Sequence, residues 1–139
     1  MKKAKLWIPL SLVALIALSI LCFRWFAMKI NSDFATEVSL EYHYVDKDIS
    51  VKITDESDIL KLKQILTGHL FKDTPACEFT TEISITMTNG SKSIVFCPAN
   101  DGCPLLRIDD SGKYIKITDE ARTKLNEVLE MYGMTFPCV

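Results

Sequence analysis

The chain has 139 residues with 16 basic and 18 acidic side chains, a net charge of −2, but the charge is unevenly placed. Residues 1–30 hold five of the basic residues and no acid, which leaves residues 31–139 with 11 basic against 18 acidic side chains, a charge of −7. Such an acidic segment lacks the basic footprint of a nucleic-acid binder, and its 109 residues are enough for one hydrophobic core.

Lys2, Lys3 and Lys5 precede an uncharged apolar run from Leu6 to Phe23. A helix over that run would be about 27 Å long, close to the hydrocarbon thickness of a bilayer. Trp7, Trp25 and Phe26 stand where interfacial aromatics are favoured, and Arg24 and Lys29 can reach outward from the far end. Cleavage as a secretory leader is disfavoured: Ala17-Leu18-Ser19 lies inside the apolar run, and Trp25 stands two positions before Ala27. Lipidation of Cys22 is opposed by Leu21, where that signal needs a small residue. The pattern therefore predicts a cytoplasmic stub over 1–5, a transmembrane helix anchoring the protein over 6–26, a linker over 27–36 and an extracytoplasmic domain over 37–139.

Within that domain, Val38, Leu40, Tyr42 and Tyr44 alternate with Glu37, Glu41 and His43, the pattern of a half-buried strand with His43 on its polar face. Val51-Lys-Ile-Thr-Asp-Glu56 then recurs as Ile115-Lys-Ile-Thr-Asp-Glu120. Each copy predicts a short strand, a Thr54 or Thr118 N-cap, and a helix with acids in its first turn. Ile59, Leu62 and Leu66 form the apolar stripe of the first helix, which Gly68 stops; Ala121, Leu125, Val128, Leu129 and Tyr132 form that of the second, which Gly133 stops. Strand-to-helix turns reuse this chemistry independently, so the echo is read as convergence rather than duplication.

Between the helices, Glu82–Thr88 and Lys92–Cys97 flank Asn89-Gly90. A two-residue turn there would set Ile85 opposite Ile94 and Ile83 opposite Phe96. Leu105–Ile108 and Tyr114–Ile117 form a second hairpin around Asp109-Asp110-Ser111-Gly112. The expected fold class is α+β: an N-terminal transmembrane helix, then a small, mainly antiparallel sheet in the order β-β-α-β-β-β-β-α with both helices on one face.

Cys77, Cys97, Cys103 and Cys138 all follow the apolar segment, an even number suited to an oxidising compartment. Four cysteines allow three connectivities. The compact turn Cys97-Pro-Ala-Asn-Asp-Gly-Cys103 favours clipping its own ends, which would leave Cys77 to hold Cys138 and the tail. A redox or zinc set is the competing reading, but the sequence has no Cys-x-x-Cys pair and no histidine close to these cysteines.

Catalytic, cofactor-binding and metal-ligating residues are not assigned. His43 and His69 read as surface residues, and Asp101, Asp109 and Asp110 lack the ligand spacing of a calcium loop. No nucleophile elbow, phosphate loop or metalloprotease helix is present.

The Ile-Thr-Asp steps, Cys77-Glu-Phe79, Pro98-Ala-Asn-Asp-Gly-Cys103 and the closing Tyr132-Gly-Met-Thr-Phe-Pro-Cys138 resemble small uncharacterised exported domains of Gram-positive bacteria. The likeness covers most of residues 49–139, implies the cell envelope as the setting and transfers no functional residue. The resulting expectation is a membrane-anchored extracytoplasmic interaction module that meets the membrane through its N-terminal helix and a protein partner at the envelope, with no nucleic acid. The alternatives are a thiol-disulfide redox protein using Cys97 or Cys103 and an envelope sensor working with a membrane partner.

Overall fold

A computed structural model describes residues 12–22, 29–44, 46–71, 73–109 and 111–135. The elements in chain order are α1 (12–22), β1 (Lys29–Ile30), β2 (Glu37–Tyr44), β3 (Lys47–Ile53), α2 (Glu56–Ile65), β4 (Gly68–Phe71), β5 (Ile83–Thr88), β6 (Ser93–Pro98), β7 (Leu105–Ile108), β8 (Lys113–Lys116) and α3 (Asp119–Met131). The fold is α+β. Among the described residues eight strands form one sheet in the order β1-β4-β8-β7-β6-β5-β2-β3, and every neighbouring pair is antiparallel.

The expected transmembrane helix over 6–26 is overturned, because no helix among the described residues is long and apolar enough to cross a membrane. The helical stretch 12–22 would measure about 16 Å, half a hydrocarbon core. Residues 1–11 and 23–28, with Trp7, Trp25 and Phe26, lie outside the described residues. Leu12, Val13, Leu15, Ile16, Leu18 and Ile20 are all more than half exposed, so α1 has an apolar surface on every side.

Period-two alternation builds the core. Val38, Leu40 and Tyr42 of β2, Ile83, Ile85 and Met87 of β5, Phe96 of β6, Leu106 and Ile108 of β7 and Ile115 of β8 turn one sheet face inward. Ile59, Leu62, Ile65 and Leu66 from α2 and Leu125, Val128 and Leu129 from α3 cover that face. The helix ends are tied together where the Tyr132 hydroxyl donates to Asp58 Oδ2 at 2.8 Å. Lys61 and then Tyr132 hold the Asp58 carboxyl below its usual range, while burial and that carboxylate push the Tyr132 phenol up to about 12.

Four other expectations are corrected. The strand order lacked β1 and β4: Gly68 does not stop a helix but starts β4, which pairs with β8 through Leu70 and Ile115. Close approach explains the glycine, because a Cβ there would sit 3.2 Å from the Lys116 carbonyl oxygen. The first hairpin pairs Ile85 with Phe96 and Met87 with Ile94, two residues away from the expected register. Its connection is the four residues 89–92, closed by Asn89 Oδ1, which accepts from the Ser91 and Lys92 amides at 3.1 and 2.9 Å. An even slip returns every side chain to the same face, so the hydrophobic pattern could not detect it.

The third correction is at the start of α2, where the N-cap is Asp55 rather than Thr54. Asp55 Oδ1 accepts from the Ser57 and Asp58 amides, whereas in α3 Thr118 caps as expected by accepting from Ala121 N at 3.1 Å. The two copies of the echo thus use different residues for one job. The fourth concerns the cysteines: Cys77 is bonded to Cys103, not Cys97 to Cys103. Cys97 is buried in β6, and Cys138 lies outside the described residues, as does Asp110.

Candidate functional site

The sheet face away from the helices is divided. On β2, β3 and β5 it is polar, presenting Glu41, His43, Asp48, Ser50, Lys52, Ser84 and Thr86. On the other half the outward positions are Phe71 of β4, Tyr114 of β8 and Arg107 of β7, all half-buried, with buried Cys97 beside them on β6. The segment from 73 to 82, between β4 and β5, crosses this half and brings Phe79 onto it. The Phe79 and Tyr114 ring centroids are 5.4 Å apart, those of Phe71 and Tyr114 are 5.8 Å apart, and the Arg107 guanidinium carbon lies 5.9 Å from the Phe79 centroid.

Two devices hold Phe79 in place. The Cys77–Cys103 disulfide ties its segment to the turn after β6, with Cα atoms 6.2 Å apart. Around it, the Asn100 amide donates to the Glu78 carbonyl at 3.0 Å. Asp101 accepts from the Glu78 amide through Oδ2 and from the Cys103 amide through Oδ1, both at 3.1 Å. The Asp101 carboxylate also lies 3.4 Å from Cys103 Sγ. A carboxylate and two sulfurs therefore converge within 4.8 Å of one another, but the sulfurs are spent on each other, which makes the group a staple rather than a ligand set.

The structure places the sequence candidates far apart in role. Cys77, Cys103 and Asp101 come together, Cys97 is buried in β6 opposite Arg107, and both histidines are exposed, neither belonging to the staple. His43 lies on the polar half, with Nδ1 2.5 Å from Asp48 Oδ1 and Nε2 3.2 Å from Glu41 Oε2. The Asp48 hydrogen bond foremost, with Glu41 adding to it, raises the His43 pKa above the ordinary 6.5. Since the folded value is the higher one, the contact's contribution to stability is full below the unfolded pKa and is lost as pH rises through the folded one. Proton NMR of the imidazole should therefore give a midpoint above 6.5, which Asp48→Asn moves back towards it. An unmoved midpoint would show that the Asp48 contact does not form in solution.

Sequence reasoning missed the aromatic and guanidinium patch because its members come from four separated segments. The signal was present in part: in the β7–β8 hairpin, Arg107 and Tyr114 are the residues that alternate away from buried Ile108 and Ile115. On the opposite side of the molecule, a groove of about 530 Å³ opens between α2 and α3 beside Lys61, Lys124 and Glu127. Glu120 lines it too, so charges of both signs face the groove.

No protein-family model, curated protein or solved structure matches this chain significantly.

Proposed function

We propose that the protein is an extracytoplasmic interaction module, associated with a membrane through its apolar N-terminal segment, that contacts a protein partner with the helix-free half-face around Tyr114. The observation that carries this reading is the stapled loop: covalent and hydrogen-bond ties hold Phe79 against Tyr114 and Arg107 on a face that neither α2 nor α3 covers. Aromatic rings and arginine, fixed in advance, are the groups that dominate protein interfaces, and holding them beforehand lowers the entropic cost of binding. The disulfide supports an oxidising compartment. The apolar surface of α1 supports contact with lipid.

The same geometry favours a structural over a redox role for the disulfide. A thiolate forming at Cys103 would face the Asp101 carboxylate 3.4 Å away, and like charge opposes it.

The test is photo-crosslinking in intact cells that make the full chain. A crosslinking residue in place of Tyr114 should capture one defined protein, one in place of Lys61 in the helix groove should not, and Arg107→Ala should weaken capture at 114. Equal capture at both positions, or capture indifferent to Arg107, overturns the surface assignment. A cysteine in place of exposed Ser91 should react with a membrane-impermeant maleimide before lysis. Labelling only after lysis would overturn the compartment.

A further inference from the structure

Of the two outer strands of the sheet, β1 has two residues and β3 has seven, so β3 is the long edge, and no strand among the described residues pairs with its outer side. Long open edges invite another strand, and proteins commonly blunt them with charge. The charges on β3 are arranged otherwise. Asp48-Ile49-Ser50-Val51-Lys52 is its own complement when laid antiparallel against a second copy about Ser50. Asp48 then meets the second copy's Lys52, Ile49 meets Val51, Ser50 meets Ser50, and by symmetry the charge pair occurs twice.

We propose that the protein pairs with a second copy of itself through this edge, antiparallel and centred on Ser50, joining the two sheets into one. The register respects strand geometry: residues of even number meet residues of even number, so backbone groups that point outward in one copy face outward-pointing groups in the other. It also continues contacts already present. On the helix-free face Lys52 Nζ lies 2.6 Å from Glu37 Oε2, and Asp48 is bonded to His43. Across the seam these become a row of alternating sign, His43, Asp48, then the second copy's Lys52 and Glu37. On the helix side, half-buried Ile49 and Val51 gain each other's cover.

Competing pairings lose these gains. A slip of two residues in either direction separates both Asp48–Lys52 pairs; in one direction Lys52 then meets Asp46, which stands in the turn before β3 and not on the strand, and in-register parallel pairing brings Asp48 towards Asp48 and Lys52 towards Lys52. The edge therefore specifies one partner and one register. A two-fold axis perpendicular to the sheet generates it, the isologous arrangement usual for dimers.

The experiment uses the full chain in a neutral detergent and reads mass by sedimentation equilibrium. The unaltered chain should dimerise. Asp48→Lys and Lys52→Glu each set like charges opposite one another twice and should weaken self-association roughly tenfold or more. An equal mixture of the two variants should recover dimers, since the lysines of one then face the acids of the other. Ser50→Cys, nearly isosteric and removing no charge, should crosslink to itself on oxidation and run as a dimer on a non-reducing gel. A chain that stays monomeric, dimers indifferent to either charge reversal, a mixture that does not recover, or absent Ser50→Cys crosslinking each overturns the proposal. Mass retained by both variants without that crosslink would assign association to α1 instead.

Discussion

Replacing Phe96 with alanine is expected to lower the free energy of unfolding by about 3 to 5 kcal/mol. Phe96 is fully buried and belongs to β6, which has β7 and β5 hydrogen-bonded on either side. It stands opposite Ile85 on one neighbour and Ile108 on the other, under the layer formed by α2 and α3. That position makes the cavity hard to fill, because collapse would have to bend strands fixed on both sides. For a domain held by about 5 to 15 kcal/mol, the loss is about a fifth of the total or more. Urea unfolding followed by circular dichroism measures it, with the slope unchanged and the midpoint lowered. Leu60→Ala on α2 is the matched control: its side chain is 56% exposed and its truncation should move the midpoint little. A Phe96→Ala loss below about 1 kcal/mol would mean that the helices settle into the gap, contrary to a rigid close-packed layer.

Phe96 was legible as core from sequence, and its exact opposite number was not, for one physical reason. Side-chain alternation has a period of two, so Phe96 faces inward whether it pairs with Ile83 or with Ile85. The turn settles the matter through the Asn89 side chain, which closes four residues rather than two. Strand β4 was hidden for a different reason. Gly68-His69-Leu70-Phe71 has little strand character of its own, and what recruits it is the edge of β8, supplied from more than forty residues further along the chain. Asp55 took the capping role from Thr54 because either oxygen can cap, and sequence ranks them almost equally. Arg122 shows the limit of the helical stripe: it is 5% exposed, with Nη2 donating to the Ala99 carbonyl at 2.8 Å, a partner 23 positions away. Composition made the N-terminal segment apolar on sight, and the structure describes a helix over residues 12–22 of it. The candidate site was the least legible part, since Phe71, Phe79, Arg107 and Tyr114 meet only after the sheet has formed.

Removing the staple with the double substitution Cys77→Ala and Cys103→Ala should cost about 3.5 kcal/mol, the chain-entropy value for the 26-residue separation that the bridge closes. The effect acts chiefly on the unfolded chain, which gains freedom. In the folded state the Asn100 amide still donates to Glu78, and Asp101 still accepts from the Glu78 amide, so the two segments keep their main contacts. The expected outcome is thus a protein that remains folded at room temperature with a lower urea midpoint, together with faster hydrogen exchange at Glu78 and Asn100 than at core amides such as Leu106. Exchange raised evenly through β5 to β8 would point instead to a staple that the whole sheet needs. The same variant bears on function, because the patch depends on where Phe79 sits. If its chain stays folded but capture at position 114 falls, the disulfide acts by fixing Phe79 over Tyr114 and Arg107. If capture persists, Asp101 and the backbone contacts suffice to hold the surface, and the bridge serves durability rather than recognition.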